Sequence, residues 1–210
     1  MNNGEKKVPE VVIKRLPRYY RYLDELDKEG KTRISSTALS DKMGVTASQI
    51  RQDFNYFGGF GQQGYGYNVQ YLLGEMKKLL GINKSYKVII VGAGNLGHAI
   101  ANYAGLKKRG FKLIGIFDND KAKIGQKVGN MVISDVADAI AFIKENKVDI
   151  VILTLPKEAT EEVADKLADS GIKGFWNFSY TELKSRNSLF VENVHLTDSL
   201  MTLSFKINQN

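Results

Sequence analysis

The chain has 210 residues, 43% hydrophobic and 25% charged, an ordinary balance for a globular protein with room for two modest domains. Its net charge of +7 favours polyanionic partners, and the absence of cysteine excludes disulfides, thiol redox sensing and cysteine-ligated metal. No apolar run reaches the roughly 20 residues that span a bilayer, and Met1-Asn-Asn-Gly-Glu-Lys-Lys7 lacks an apolar signal core, so a cytoplasmic location is expected, with no membrane or metal partner.

The positive charge is uneven: residues 1–86 hold 14 Lys/Arg against 9 Asp/Glu, residues 87–210 hold 16 against 14. After Pro9, the apolar positions Val12, Ile13, Leu16, Tyr19, Tyr20, Leu23 and Leu26 predict helix to about Lys28, kinked or restarted at Pro17 and ended by Gly30. Ser35 or Ser36 caps a short helix carrying Leu39 and Met43, which Gly44 closes. Thr46 with Gln49 forms a capping box that opens a helix from about Ala47 to Phe57. Two short helices about a glycine turn read as a helix-turn-helix.

The next segment, Gly58-Gly-Phe-Gly-Gln-Gln-Gly-Tyr-Gly-Tyr67, has a Gln-Gln-Gly tip suited to the hairpin of a winged helix. A plain flexible linker has little reason to place Phe60, Tyr65 and Tyr67 there. In a winged helix the second short helix enters the major groove, which puts Ser48, Gln49, Arg51 and Gln52 against bases or phosphates of double-stranded DNA. Arg18, Ser36, Thr46, Tyr56 and the wing residue Gln62 complete the expected DNA-binding set. Helix returns over 69–80, and 81–86 is the expected linker between a domain at 1–80 and one at 87–195.

The second domain alternates strands near 87–91, 112–117, 131–133, 149–154 and 173–177 with helices near 95–108, 135–146 and 158–170. Ser134 and Thr160 are expected as caps, and Gly171 as a helix terminator. This alternation predicts an α/β fold, a doubly wound parallel sheet of Rossmann type. Lys87-Val-Ile-Ile-Val-Gly92-Ala93-Gly94-Asn95-Leu96-Gly97 is a buried strand running into G-x-G-x-x-G and then helix, with Asp118 ending the next apolar run. In that context the glycines permit a tight turn, backbone approach to a pyrophosphate and close helix packing. Asp118 can accept hydrogen bonds from a ribose diol and would repel a 2′-phosphate, which predicts NAD(H) over NADP(H).

Thr154 and Pro156 end one strand at the sheet's carboxyl edge, and Asn177 and Phe178 end another. Asn177 can meet a carboxamide and Phe178 can stack on a ring, but both pairs read equally well as turn and core residues. Tyr103 and Lys107 match a Y-x-x-x-K spacing used by short-chain dehydrogenases, yet fall on the first helix after the glycines rather than on a much later one. With two histidines, no base-plus-orienter pair and little room for a substrate domain, a binding module is favoured and no catalytic residue is assigned. The rival is a small NAD-dependent reductase whose N-terminal helices only dimerise it.

The whole pattern resembles the Rex family of bacterial redox-sensing transcriptional repressors over nearly its full length. The resemblance is carried by Val8-Pro-Glu, Arg15-Leu, Arg33-Ile-Ser-Ser36, Val45-Thr-Ala-Ser-Gln-Ile-Arg51-Gln-Asp53-Phe-Asn-Tyr56-Phe-Gly58, Gly64-Tyr-Gly-Tyr67, the glycines of 92–97 and Phe117-Asp118. Gly171-Ile-Lys-Gly174, Asn177-Phe178, Val191-Glu-Asn-Val194 and Leu203-Ser-Phe205 extend it. It implies a homodimer that binds an inverted-repeat operator through winged helices and releases it when NADH accumulates, with NADH and NAD⁺ as regulatory ligands. It also implies a C-terminal helix, 196–210, swapped between subunits, and Leu196, Leu200, Leu203 and Ile207 have the spacing of a buried stripe that suits such a swap or packing on the same subunit. Tyr103 enters the expected cofactor site by the same resemblance. The chain departs from the family at Gln52, where a basic residue is common, so one phosphate contact is expected to be missing. It also has His195 where some relatives carry an acid linked to the counterparts of Tyr103 and Arg21, which implies a differently wired switch with pH sensitivity.

Overall fold

Apolar residues at helical spacing and well-placed breakers shape the N-terminal part of the chain. The computed structural model describes residues 8–60, 65–186 and 188–209. It divides into two units, Met1–Asn83 and Lys84–Asn210, the division falling inside the 81–86 segment.

In the first unit Glu10–Ile13 (α1) and Leu16–Lys28 (α2) are separate helices, because Pro17 lacks the N–H that a helix interior needs and fits a first turn. α2 buries Leu16, Tyr19, Leu23 and Leu26. After Arg33–Ile34 (β1) comes Ser36–Met43 (α3), opened by Ser35, whose hydroxyl accepts the Ala38 N–H at 3.0 Å. It is closed by Gly44 at φ 64°, a left-handed conformation that L side chains resist. Ala47–Asn55 (α4) follows, with Thr46 Oγ1 accepting the Gln49 N–H at 3.1 Å. It stops two residues short of the expected Phe57, because the Gly59 N–H turns back to the Phe54 carbonyl at 3.1 Å.

Tyr67–Asn68 (β2) pairs antiparallel with β1 and leads into Val69–Leu79 (α5), whose first turn is capped by the Asn68 side chain. The expected wing tip, including Gln62, lies outside the described residues. The described flank pairs antiparallel with β1, Arg33 opposite Asn68 and Ile34 opposite Tyr67, rather than within 58–67. Phe60 and Tyr67 both meet the Phe54 ring, at 5.5 and 5.1 Å, so two of the aromatics are packing residues, whereas Tyr65 is exposed.

A charged group breaks this apolar core. Asp53, on the inner face of α4, is 2% exposed and accepts two bonds of 2.7 Å from Arg15 and a third of 2.7 Å from the Tyr19 hydroxyl. The hydrogen bond to Asp53 raises the Arg15 pKa, while burial, followed by the bond to Asp53, pushes the Tyr19 hydroxyl up.

In the second unit Tyr86–Val91 (β3), Phe111–Asp118 (β4), Lys127–Val128 (β5), Met131–Asp135 (β6), Ile150–Leu153 (β7), Gly174–Asn177 (β8) and Phe190–Asn193 (β9) form a sheet in the order β5-β6-β4-β3-β7-β8-β9. All the pairings are parallel except β5 with β6. The doubly wound α/β fold is therefore as expected. β5 and β9 escape the sequence pattern because two and four residues are too few for alternation to register. The sheet reverses direction of growth between β4 and β7 on either side of β3, so the switch point lies at the carboxyl ends of β3 and β7.

The helix expected over 95–108 is two, Asn95–Ala101 (α6) and Gly105–Lys108 (α7). The Asn102 side chain donates to the His98 carbonyl at 2.9 Å and competes with helix continuation. Tyr103 and Lys107 therefore do not share one helix. Ahead of Ala139–Asn146 (α8), the cap is Asp135, accepting the Ala137 N–H, rather than Ser134. Thr160 lies inside Lys157–Ala168 (α9) and donates back to the Pro156 carbonyl instead of capping it. Gly171 does follow α9, at φ 98°.

The last helix, Leu196–Asn208 (α10), has no buried residue within this chain. Leu196, Leu200, Leu203 and Ile207 are 50–67% exposed, so the expected stripe exists but is not buried by its own subunit. Met201 and Phe205 are exposed beside it.

Asp53→Ala removes the acceptor for both Arg15 and Tyr19 and should cost about 3–5 kcal/mol, the usual penalty for orphaning half of a buried ion pair. Urea unfolding of the full chain measures this; a loss below about 1 kcal/mol would show that water replaces the carboxylate freely.

Candidate functional site

The turn after β3 is built by packing that excludes side chains. A Cβ on Gly92, at φ 107°, would lie 2.6 Å from the Thr154 carbonyl oxygen, and one on Gly97 would lie 2.1 Å from the Gly92 carbonyl oxygen. The second glycine differs. A Cβ on Gly94 would meet nothing within 4 Å, so the backbone there faces open space. Gly94 begins α6, whose first amides, from Asn95, Leu96 and Gly97, have no carbonyl one turn earlier within the helix. This is a surface where a bulky anionic group can approach backbone N–H donors.

Asp118, at the end of β4, lies beside that turn and is 5% exposed. Its Oδ2 accepts the Ala93 N–H at 2.6 Å and the Lys123 ammonium at 3.1 Å, and its Oδ1 accepts the Asp120 N–H at 2.9 Å. Burial works to raise its pKa, but the Asp120 and Ala93 amides and Lys123 outweigh it and hold the carboxyl below its ordinary value. Asp118 therefore braces the glycine turn as well as standing at its edge.

Thr154 follows β7, and its hydroxyl donates to the Gly92 carbonyl at 2.6 Å, clamping the two strand ends together. Pro156 is exposed and precedes α9. Phe178 is half-buried, 4.7 Å from the Trp176 ring, and its N–H bonds the Leu153 carbonyl. Tyr103 is exposed, its ring lying where a Gly105 side chain would stand.

For Asn177 the sequence left two roles open, and the structure gives its side chain partners within the fold. Asn177 is fully buried, its amide donates to the Thr181 carbonyl at 2.7 Å and to Asn193 Oδ1 at 2.8 Å, and its oxygen accepts the Ser179 N–H. Both of its amide protons are thus taken within the fold. It pins the 177–181 turn and β9. His195 pairs its Nε2 with Glu182 Oε1 at 3.1 Å and stacks with Tyr180 at 6.2 Å.

In the first unit, α4 presents Ser48, Gln49, Arg51 and Gln52 to solvent while Ile50, Asp53 and Phe54 face inward. The structure brings Arg51 to Ser36, with Nη1 donating to the hydroxyl at 2.9 Å. Arg18 donates to the Met43 carbonyl at 2.7 Å, at the C-terminal end of α3. Thr46 is the cap of α4, and Tyr56, half-buried, ends it. The side chains that sequence reasoning missed are Lys123, Glu182 and the Arg15–Tyr19–Asp53 cluster. Asp53 was discernible as an acid three residues after Ile50 on an apolar helix face. Lys123 was discernible one turn beyond the acid ending β4.

Two family models match, one described as "Putative DNA-binding protein N-terminus" over residues 7–55 and one as "CoA binding domain" over 83–181. The redox-sensing transcriptional repressor Rex of Caldicellulosiruptor saccharolyticus is 52% identical over 205 residues, covering 98% of this chain and 94% of that protein. The chain belongs to the Rex family. The crystal structure of RSP in complex with β-NAD⁺ and operator DNA superposes with a TM-score of 0.91 at 54% identity, covering 96% of this chain and 93% of that one. RSP in complex with β-NADH gives 0.89 at 50% identity, covering 97% and 96%. The Rex likeness thus spans both units, the helix-turn-helix and the glycine turn alike.

Gly97→Ala should destabilise the second unit by about 1–3 kcal/mol, because α6 must retreat from the Gly92 carbonyl. Gly94→Ala should cost less than about 1 kcal/mol, since its Cβ enters open space at an N-cap. Thermal unfolding of both variants checks this; equal losses would show that Gly94 is also fixed by packing.

Proposed function

We propose that this chain is a redox-sensing transcriptional repressor that binds operator DNA as a homodimer and leaves it when NADH binds. The observation that carries the reading is the near-full-length Rex likeness, which joins a repressor crystallised with operator DNA and β-NAD⁺ and also with β-NADH. The local geometry supports it. Gly92 and Gly97 are forced by internal packing, while Gly94 leaves a cradle that a side chain would fill, as a pyrophosphate on backbone amides requires.

In this reading Ala93, Gly94, Asn95 and Leu96 line the phosphate turn, and Asp118 meets the ribose of the adenosine half with the lone pairs left by its three internal donors. Thr154, Pro156 and Phe178 bound the nicotinamide end, with Tyr103 on the outer rim. Asn177 acts behind them by fixing the turn that carries Phe178. The two redox forms of the nicotinamide differ in charge and planarity, so groups around that ring carry the discrimination.

On the DNA side, the exposed face of α4 enters the major groove, with Ser48, Gln49, Arg51 and Gln52 toward bases and phosphates and Ser36 orienting Arg51. Arg18, Thr46, Tyr56 and the wing residue Gln62 flank it. The apolar side chains exposed along α10 are covered by a second copy, which builds the two-fold dimer an inverted repeat needs. No catalytic turnover is assigned. Tyr103 lies in the break between α6 and α7 and Lys107 on α7, so the two do not share one helix. A repressor works where the chromosome is, in the bacterial cytoplasm, and no helix among the described residues is long and apolar enough to cross a membrane.

Fluorescence anisotropy on an operator duplex should show NADH weakening binding about tenfold or more, the differential a switching ligand needs, and NAD⁺ weakening it far less. Equal effects of the two would refute the redox reading. Removing residues 196–210 should give monomers by light scattering and lose cooperative operator binding; a persistent dimer would place the interface elsewhere.

A further inference from the structure

Lys123 stands beside Asp118, the acid that ends β4. It follows β4 by one tight turn, in which the Ala122 N–H bonds Asp120 Oδ1 and the Lys123 N–H bonds the Asp120 carbonyl, both at 2.9 Å. The turn carries the ammonium back over the strand end, 3.1 Å from Asp118 Oδ2 and 3.7 Å from Asp120 Oδ2. The side chain is 36% exposed, so the cation is anchored by the carboxylates yet open to solvent.

An ammonium has three protons; Asp118 takes one at hydrogen-bonding distance and Asp120, at 3.7 Å, stands beyond it, so donors remain for a further oxygen. An acid by itself at this position accepts from a ribose diol and repels a 2′-phosphate. Here Asp118, Asp120 and Lys123 sum to a single negative charge, with the cation nearest the carboxylate that would do the repelling. The Asp118 carboxyl is moreover shared among an ammonium and two amide donors, which leaves it less free to reject an anion.

We propose that Lys123 sets the discrimination between dinucleotides with a 2′-hydroxyl and those with a 2′-phosphate, and that the chain takes up NADPH as a weaker, second ligand of the same site. This rests on the dinucleotide reading given above. Lys123 supplies the phosphate with the counter-charge and the donor that Asp118 denies it. The expectation drawn from Asp118, that a 2′-phosphate is excluded, then holds only as a preference. Lys123 does not act on the nicotinamide end, so it leaves the redox discrimination to other groups.

The test is titration calorimetry of the full chain without DNA, using NADH and NADPH on the wild type, Lys123→Met and Lys123→Arg. The wild type should bind both, NADH more tightly. Lys123→Met should lose about tenfold or more in NADPH affinity, the usual worth of one charge-assisted hydrogen bond, and much less in NADH affinity. Lys123→Arg should keep NADPH binding, because the charge and donors remain. Equal losses of both ligands in Lys123→Met, with Lys123→Arg restoring both, would show that Lys123 only braces the turn and would overturn the proposal. So would a wild type that binds NADH and ignores NADPH. Binding of neither ligand by the wild type would overturn the dinucleotide reading itself.

Discussion

The second unit depends on how closely α6 approaches the strand it follows. Gly97 lies against the Gly92 carbonyl with no room for a Cβ, and Gly92 lies as closely against Thr154 on the neighbouring strand end. The Thr154 hydroxyl then donates to the Gly92 carbonyl, so one oxygen is the meeting point of β3, β7 and α6. A side chain at either glycine would push these elements apart and close the space above Gly94. The internal contact and the outward-facing cradle are consequences of one packing arrangement.

A different economy governs the first unit. Its largely apolar core holds the Asp53 carboxylate, and a buried carboxylate is tolerable only because Arg15 and Tyr19 satisfy it. The same bonds tie α2 and its N-cap residue Arg15 to the inner face of α4. The outward residues of that helix gain a fixed orientation from a polar contact they do not touch. Such geometry suits a surface that has to match the groove of a duplex, where the register of a few side chains matters more than total area.

Each unit therefore has a rigid element close to the surface it offers, and α10 has none. Six large apolar side chains on it are exposed, and none of its residues is buried among the described residues. A helix of this length draws little stability from propensity alone and needs an apolar face packed against something. In the proposed dimer that requirement makes the helix part of the assembly.

Much of this was legible in the chain itself, because local chemistry decided it. Pro17, Gly44 and the hydroxyls of Ser35 and Thr46 set helix ends through bonds within a few residues, and the glycine spacing at 92–97 announced the turn. Periodicity sorted α4 into an inner and an outer face. The alternation of strand and helix also implied the parallel sheet, whereas β5 and β9 were too short to show. What only the tertiary structure decided involves partners distant in sequence. Asn177 turned inward because Thr181 and Asn193 supply its bonds, and Lys123 reached Asp118 because Asp120 bends the turn. Asp53 found Arg15 across 38 positions, a distance at which spacing carries no signal. The stripe on α10 was readable as apolar, but its exposure was not, since burial belongs to the assembled surface and not to the order of residues.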